Sequence, residues 1–124
     1  MATGKLDGAG AVKMGTLKDA YPMIQRVHGL VEQMAMVQKQ QKSTAVLGMQ
    51  LRRAATPLVG LLKGHFGPMS DLVAGMILIA TRAGNEGAKV RTLREMMAGL
   101  KSQLEISTNK VKEQHMSEST PSSD

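Results

Sequence analysis

The sequence lacks cysteine and has almost no aromatic residues: its 124 residues include one Tyr, one Phe and no Trp. Without cysteine there can be no disulfide framework, no thiolate metal site and no cysteine nucleophile, so packing alone must hold the fold. The 11 Met residues, together with abundant Leu, Ala and Val, are typical of helices rather than strands. Length and composition therefore predict a single all-α domain.

Long hydrophobic runs are also scarce. The apolar stretch at residues 72–80 is less than half of the about 20 residues that a transmembrane helix needs, and residues 1–15 contain no apolar core of a secretory signal. We therefore expect a soluble intracellular protein, in the cytoplasm or the nucleus. Because residues 72–80 carry no charge on any helical face, we expect the rest of the chain to cover them.

Patterns that would indicate catalysis or metal binding are missing as well. The histidines His28, His65 and His115 fall on separate segments and form no cluster with metal-ligand spacing. No paired carboxylates stand out as a general acid and base, and no glycine segment matches a phosphate-binding loop. The sequence therefore predicts a non-enzymatic protein without a metal or cofactor.

Periodic apolar residues predict four amphipathic helices, near residues 17–40, 44–63, 69–82 and 88–113. The first helix should begin at Thr16, because Thr16 and Asp19 have capping-box spacing, and Pro22 should fall in its first turn. Pro57 lies inside the second helix and predicts a kink there. The fourth helix has the most regular stripe, formed by Val90, Leu93, Met97, Leu100 and Leu104.

The polar residues 38–44 leave the boundary between the first two helices open. Either the helix continues as a solvated rod, since Gln and Lys favour helices, or a turn precedes a second helix capped by Ser43 or Thr44. We favour the turn and predict an antiparallel four-helix bundle over residues 16–114, with a disordered arm at 1–15 and a disordered Ser-rich tail at 115–124. The alternative is three helices with a long first helix, which would need a second chain to cover it.

Positive charge is unevenly distributed along the chain. The formal net charge is +6, and no Asp or Glu occurs between residues 33 and 70. A single-sign field of this kind attracts acidic proteins, nucleic acid or phospholipid headgroups. The residues that we predict to bind a partner or phosphates are Lys39, Lys42, Arg52, Arg53, Lys63, Arg82, Lys89, Arg91 and Arg94.

Methionine adds a second candidate surface, because its flexible side chain is common where a protein binds several helical partners. Met36, Met49 and Met96 fall beside the predicted buried stripes, so we expect them to offer exposed apolar contacts. The leading hypothesis is a protein–protein interaction module, an adaptor, scaffold or assembly subunit that presents a helical surface to a partner helix or forms a homo-oligomer. The alternatives are a bundle that binds nucleic-acid phosphates and one whose basic helix at residues 44–63 associates with anionic membranes, against which the lack of Trp and Phe in that segment argues.

Overall fold

The computed structural model describes residues 8–115, which fold into four α-helices joined by short connections. The helices are α1 (Gly8–Lys39), α2 (Ala45–Lys63), α3 (Gly67–Thr81) and α4 (Glu86–His115). α1 packs against α2 and α4, and α3 packs against the same two helices, whereas no close backbone contacts join the diagonal pairs. The chain is therefore an antiparallel four-helix bundle, and the predicted fold class is confirmed.

α1 begins earlier than the sequence pattern predicts. It starts at Gly8, so the expectation of a disordered arm is wrong for residues 8–15, while residues 1–7 lie outside the described residues. Thr16 is not a cap, because its Oγ1 donates a hydrogen bond to the Val12 carbonyl at 3.1 Å, one turn back in the same helix. Pro22 consequently lies in the helix interior rather than in the first turn.

Tertiary packing explains the early start of α1. Gly10 and Leu17 are both buried, so the first turns of the helix are held by the bundle rather than by a local cap. At the other end of the chain, α4 continues through His115. The rest of the predicted tail, residues 116–124, lies outside the described residues.

A turn separates α1 from α2, so the alternative fold with one long first helix is wrong. α1 ends at Lys39, and Gln41 has a φ of 62°, a left-handed conformation that stops a helix. The Oγ of Ser43 accepts a hydrogen bond from the amide of Ala45 at 3.1 Å. The side chain of Thr44 makes no such cap and has a different role, described below.

The boundaries of α3 and α4 follow the proline and asparagine signals in the sequence. Pro68 lies in the first turn of α3. Between α3 and α4, Gly84 has a φ of 134°, which glycine adopts far more readily than other residues. Asn85 then caps α4, since its Oδ1 accepts a hydrogen bond from the amide of Ala88 at 2.9 Å.

One face of each helix contributes to a single apolar core. The predicted stripe of α4 is buried from Val90 to Leu100, and Leu104 is partly buried against it. In α3 the side chains of Val73 and Met76 are fully buried, but Leu78 is 67% exposed. The prediction that residues 72–80 are covered on every face is therefore wrong.

α2 and α3 approach each other so closely at Gly48 that a side chain would not fit. A Cβ atom placed on Gly48 would lie 2.2 Å from the carbonyl oxygen of Ala80 and 3.1 Å from its carbonyl carbon. Further along the same pair of helices, the Oγ of Ser70 donates a hydrogen bond to the Val59 carbonyl at 2.9 Å. These contacts place the start of α2 directly against the end of α3.

A buried polar cluster joins the turn before α2 to the start of α4. The Oγ1 of Thr44, which is fully buried, donates a hydrogen bond to the carboxylate of Glu86. The Nζ of Lys89 donates to the same Thr44 oxygen at 3.3 Å and lies 3.9 Å from the Glu86 Oε1. Because a buried ammonium is stable only when it is paired, Glu86 is the group that allows Lys89 to lie inside the bundle.

We predict that Gly48→Ala lowers the free energy of unfolding by about 1–3 kcal/mol, because the new methyl group must push α2 away from the backbone of Ala80. Urea denaturation followed by circular dichroism measures this change. Gly60→Ala is the matched control in the same helix, since nothing lies within 4 Å of a Cβ at Gly60. The control should raise stability by about 0.5–1 kcal/mol. Equal effects at the two glycines would contradict the close helix contact.

We predict that Glu86→Ala lowers the free energy of unfolding by about 1–3 kcal/mol, because Lys89 then keeps a buried ammonium without its counter-ion. Glu95→Ala is the control on the same helix, where the side chain is exposed, and it should change stability by less than about 0.5 kcal/mol. Chemical denaturation of the wild-type protein and of both variants measures the free energy of unfolding of each. If Glu95→Ala were as destabilising as Glu86→Ala, helix-wide effects rather than the polar cluster would be responsible.

Candidate interaction surface

Exposed apolar side chains lie on one face of α2 near its start. Val46 is 70% and Met49 is 48% exposed. The two residues are three positions apart and share a face of the helix. Leu78 on α3 is 67% exposed, but it points about 160° away from Ala80, the residue that faces Gly48, and therefore lies on a different side of the bundle. We call Val46 and Met49 the apolar patch.

The geometry of an α-helix explains why Leu78 is exposed. Each residue advances about 100° around the helix axis, so Leu78 points about 200° away from Met76. Met76 is fully buried and faces the core, which turns Leu78 toward solvent. α3 has neighbours only in α2 and α4, so no other described helix covers its outer face.

Arginine side chains flank the apolar patch. Arg52 and Arg53 follow Met49 by three and four residues, which places them about one helical turn further along α2. Both arginines are exposed, and across residues 8–115 neither guanidinium group forms an ion pair. We call these two residues the cationic rim. Arg82, at the end of α3, instead lines a pocket with Lys89 of α4.

Two of the predicted basic residues already have partners inside the protein. Lys89 is only 9% exposed and belongs to the buried cluster with Thr44 and Glu86. Arg94 forms two hydrogen bonds with the carboxylate of Glu32 on α1, at 2.9 and 3.1 Å. Lys89 therefore links α4 to the turn before α2, and Arg94 links α4 to α1.

The remaining predicted basic residues do not form one surface with the cationic rim. Lys39 and Lys42 lie at the turn between α1 and α2, while Lys63 lies at the far end of α2. Arg91 is exposed in the first turns of α4, which packs against α1 and α3 rather than α2. Two of the predicted basic residues, Arg52 and Arg53, thus lie beside the apolar patch, and the others are distributed over the bundle.

The three predicted methionines have different positions. Met49 belongs to the apolar patch. Met36 is 61% exposed, but it lies on α1, which does not contact α3. Met96 is partly buried between α4 and α3, and its terminal methyl group would lie 3.0 Å from a Cβ at Gly75. Met96 is therefore part of the helix packing rather than an open contact.

Sequence reasoning missed two exposed apolar residues, Val46 in the apolar patch and Leu78 on the outer face of α3. The signal for Leu78 was present, because an apolar run without a polar helical face leaves some apolar side chain outward unless every face is covered. Val46 could have been found from its phase on α2, since it points away from the buried Leu51. The pairing of Thr44 with Lys89 had no local signal, because the two residues are 45 positions apart.

Across residues 8–115, no helix combines the length and the apolar character needed to cross a bilayer. In the same part of the chain, no three Asp, Glu or His side chains are grouped in a way that could hold a metal ion. No protein-family model, curated protein or solved structure matches this chain significantly. The fold and the candidate surface are therefore interpreted from their own geometry.

Proposed function

We propose that the protein is a non-enzymatic interaction module that docks an amphipathic helix of an acidic protein partner on the apolar patch. The observation that carries this proposal is that Val46 and Met49 are 70% and 48% exposed on one face of α2, beside arginines that form no ion pair with any residue in 8–115. Contiguous exposed apolar side chains with a polar rim are typical of protein interaction sites. The role fits an adaptor or an assembly subunit.

A helix is the partner element that best complements this surface. The patch is formed by side chains on one face of α2, and a partner helix can lay an apolar stripe of residues i, i+3 and i+4 over them. Carboxylates beside that stripe would pair with Arg52 and Arg53, since guanidinium groups bind carboxylates with two parallel hydrogen bonds. Burial of the apolar stripe would supply affinity, and the charges would supply orientation and a faster encounter.

Self-association through the same surface is less favourable than binding of an acidic partner. In a symmetric dimer the two copies present the same surface to each other, so the interface would contain two cationic rims. Like charges brought together in one interface oppose association. Asp71, the acidic residue of α3, forms no ion pair with the rim within residues 8–115. The charge distribution therefore supports a partner of different sequence.

The other hypotheses have weaker support. Nucleic-acid phosphates could contact the basic residues, but they would not use the exposed apolar side chains, and the surface offers no aromatic platform for bases. Membrane association would need a free apolar face on α2, but Leu51, Leu58 and Leu62 on that face are fully buried in the core.

We predict that a photoreactive amino acid placed at position 46 or 49 forms a covalent adduct of defined mass with one partner protein in the native cell. The same probe at Val12 or Ile106, which are 58% and 49% exposed, is the control for nonspecific labelling from an exposed apolar position. Mass spectrometry of the adduct identifies the partner and the attached segment. Equal labelling from all four positions, or no adduct from positions 46 and 49, would contradict the proposal, and an adduct of two copies would replace it with self-association.

We predict that Arg52→Glu combined with Arg53→Glu weakens binding of the crosslinked partner at least tenfold, because each reversal replaces an attractive contact with a repulsive one. The affinity of wild-type protein should also fall as salt increases, since the rim is exposed. Lys63→Glu is the control at the far end of the same helix and should leave affinity within about twofold of wild type. Surface plasmon resonance with the purified partner measures the affinity of the double variant, of the Lys63→Glu control and of the wild-type protein at increasing salt. An equal loss in the Lys63 variant would indicate a nonspecific charge effect.

A further inference from the structure

A pocket of about 310 Å³ lies at the end of the bundle opposite the apolar patch. It is formed by the first turns of α1, the connection between α2 and α3, and the last turns of α4. We call it the end pocket. Its volume falls at the lower limit of the about 300–1,000 Å³ that is typical of small-molecule sites. No residue of the apolar patch or of the cationic rim lines it.

The inner wall of the end pocket is apolar and rigid. Phe66, Met69 and Val111 line it and are 8%, 1% and 3% exposed, so their positions are held by the core. Ile106 extends this wall toward the solvent and is 49% exposed. An apolar group of a ligand that is buried against this wall therefore gains about 25 cal/mol of binding free energy per Å² of surface removed from water.

The mouth of the end pocket carries only neutral or basic polar groups. Lys13, His65 and Lys110 line it, and no Asp or Glu does. The Nζ of Lys13 lies 3.1 Å from the Nε2 of His115, within hydrogen-bonding distance, and an ammonium group has three donors in all. Within residues 8–115 neither Lys13 nor Lys110 forms an ion pair with a carboxylate. Both ammonium groups can donate to an added anion.

We propose that the end pocket binds a small amphipathic carboxylate, of the class of medium-chain acyl acids. The acyl chain lies against Phe66 and Met69, and the carboxylate receives charge-assisted hydrogen bonds from Lys13 and Lys110. The first turn of α3, where Pro68 lines the pocket, adds the positive end of a helix dipole. A free inorganic anion would leave the apolar wall in water, and a neutral hydrocarbon would leave the lysines unused. This inference is independent of the proposed docking of a partner helix.

Calorimetric titration of the full-length protein with octanoate tests the proposal. Octan-1-ol has the same chain without the charge, and acetate has the charge without the chain. We expect saturable binding of one octanoate, at least tenfold tighter than binding of either control, because only octanoate uses both halves of the pocket. Octan-1-ol binding as tightly as octanoate would overturn the role of the lysines. A titration with octanoate that does not saturate would overturn the site itself.

Two surface variants locate the bound octanoate without disturbing the core. Lys110→Gln keeps a polar side chain of similar length. It should lower the affinity for octanoate about tenfold, because one charge-assisted hydrogen bond is lost. Lys112→Gln removes the same charge two residues later, on a side chain that does not line the pocket, and should leave the affinity unchanged. An unchanged affinity in Lys110→Gln, or an equal loss in Lys112→Gln, would overturn the proposal.

Discussion

The backbone contact between Gly48 and Ala80 is the constraint on which the arrangement of α2 and α3 depends. Because no Cβ intervenes, the start of α2 lies directly against the end of α3. With Gly48 facing α3, Val46 points away from α3, and Val46 and Met49 remain exposed on one face of α2. The buried cluster of Thr44 and Glu86 acts at the same end, where it ties the residue before α2 to the start of α4.

Apolar periodicity was sufficient to predict the four helices and their antiparallel order, because each stripe needs a neighbour to bury it. It was insufficient at the start of α1, where the capping pattern at Thr16 is overridden by the packing of buried Gly10. It also failed for the outer face of α3. A helix at the corner of a four-helix bundle has only two neighbours, so an apolar residue such as Leu78 can remain uncovered however hydrophobic the segment is.

The same limit applies to the candidate site. Sequence identifies which residues are charged, but the partner of each charge depends on contacts that are distant along the chain. Lys89 and Thr44 are separated by 45 residues and Arg94 and Glu32 by 62, so no local pattern could remove Lys89 or Arg94 from the predicted binding set. Arg52, adjacent to Met49 on α2, could be retained from sequence alone, since its position relative to that methionine follows from helical geometry.

In the proposed interaction, the cationic rim would give the apolar patch its selectivity. Val46 and Met49 in water are unfavourable for solubility, because two patches that meet can bury each other and aggregate. Arginines at the rim oppose that meeting between identical copies, and the same charges attract a surface with carboxylates in matching positions. A polar residue at position 46 would lower this tendency to aggregate and also remove an apolar contact. Exposed apolar side chains beside unneutralised arginines are the reason that we propose an acidic helix rather than a second copy as the partner.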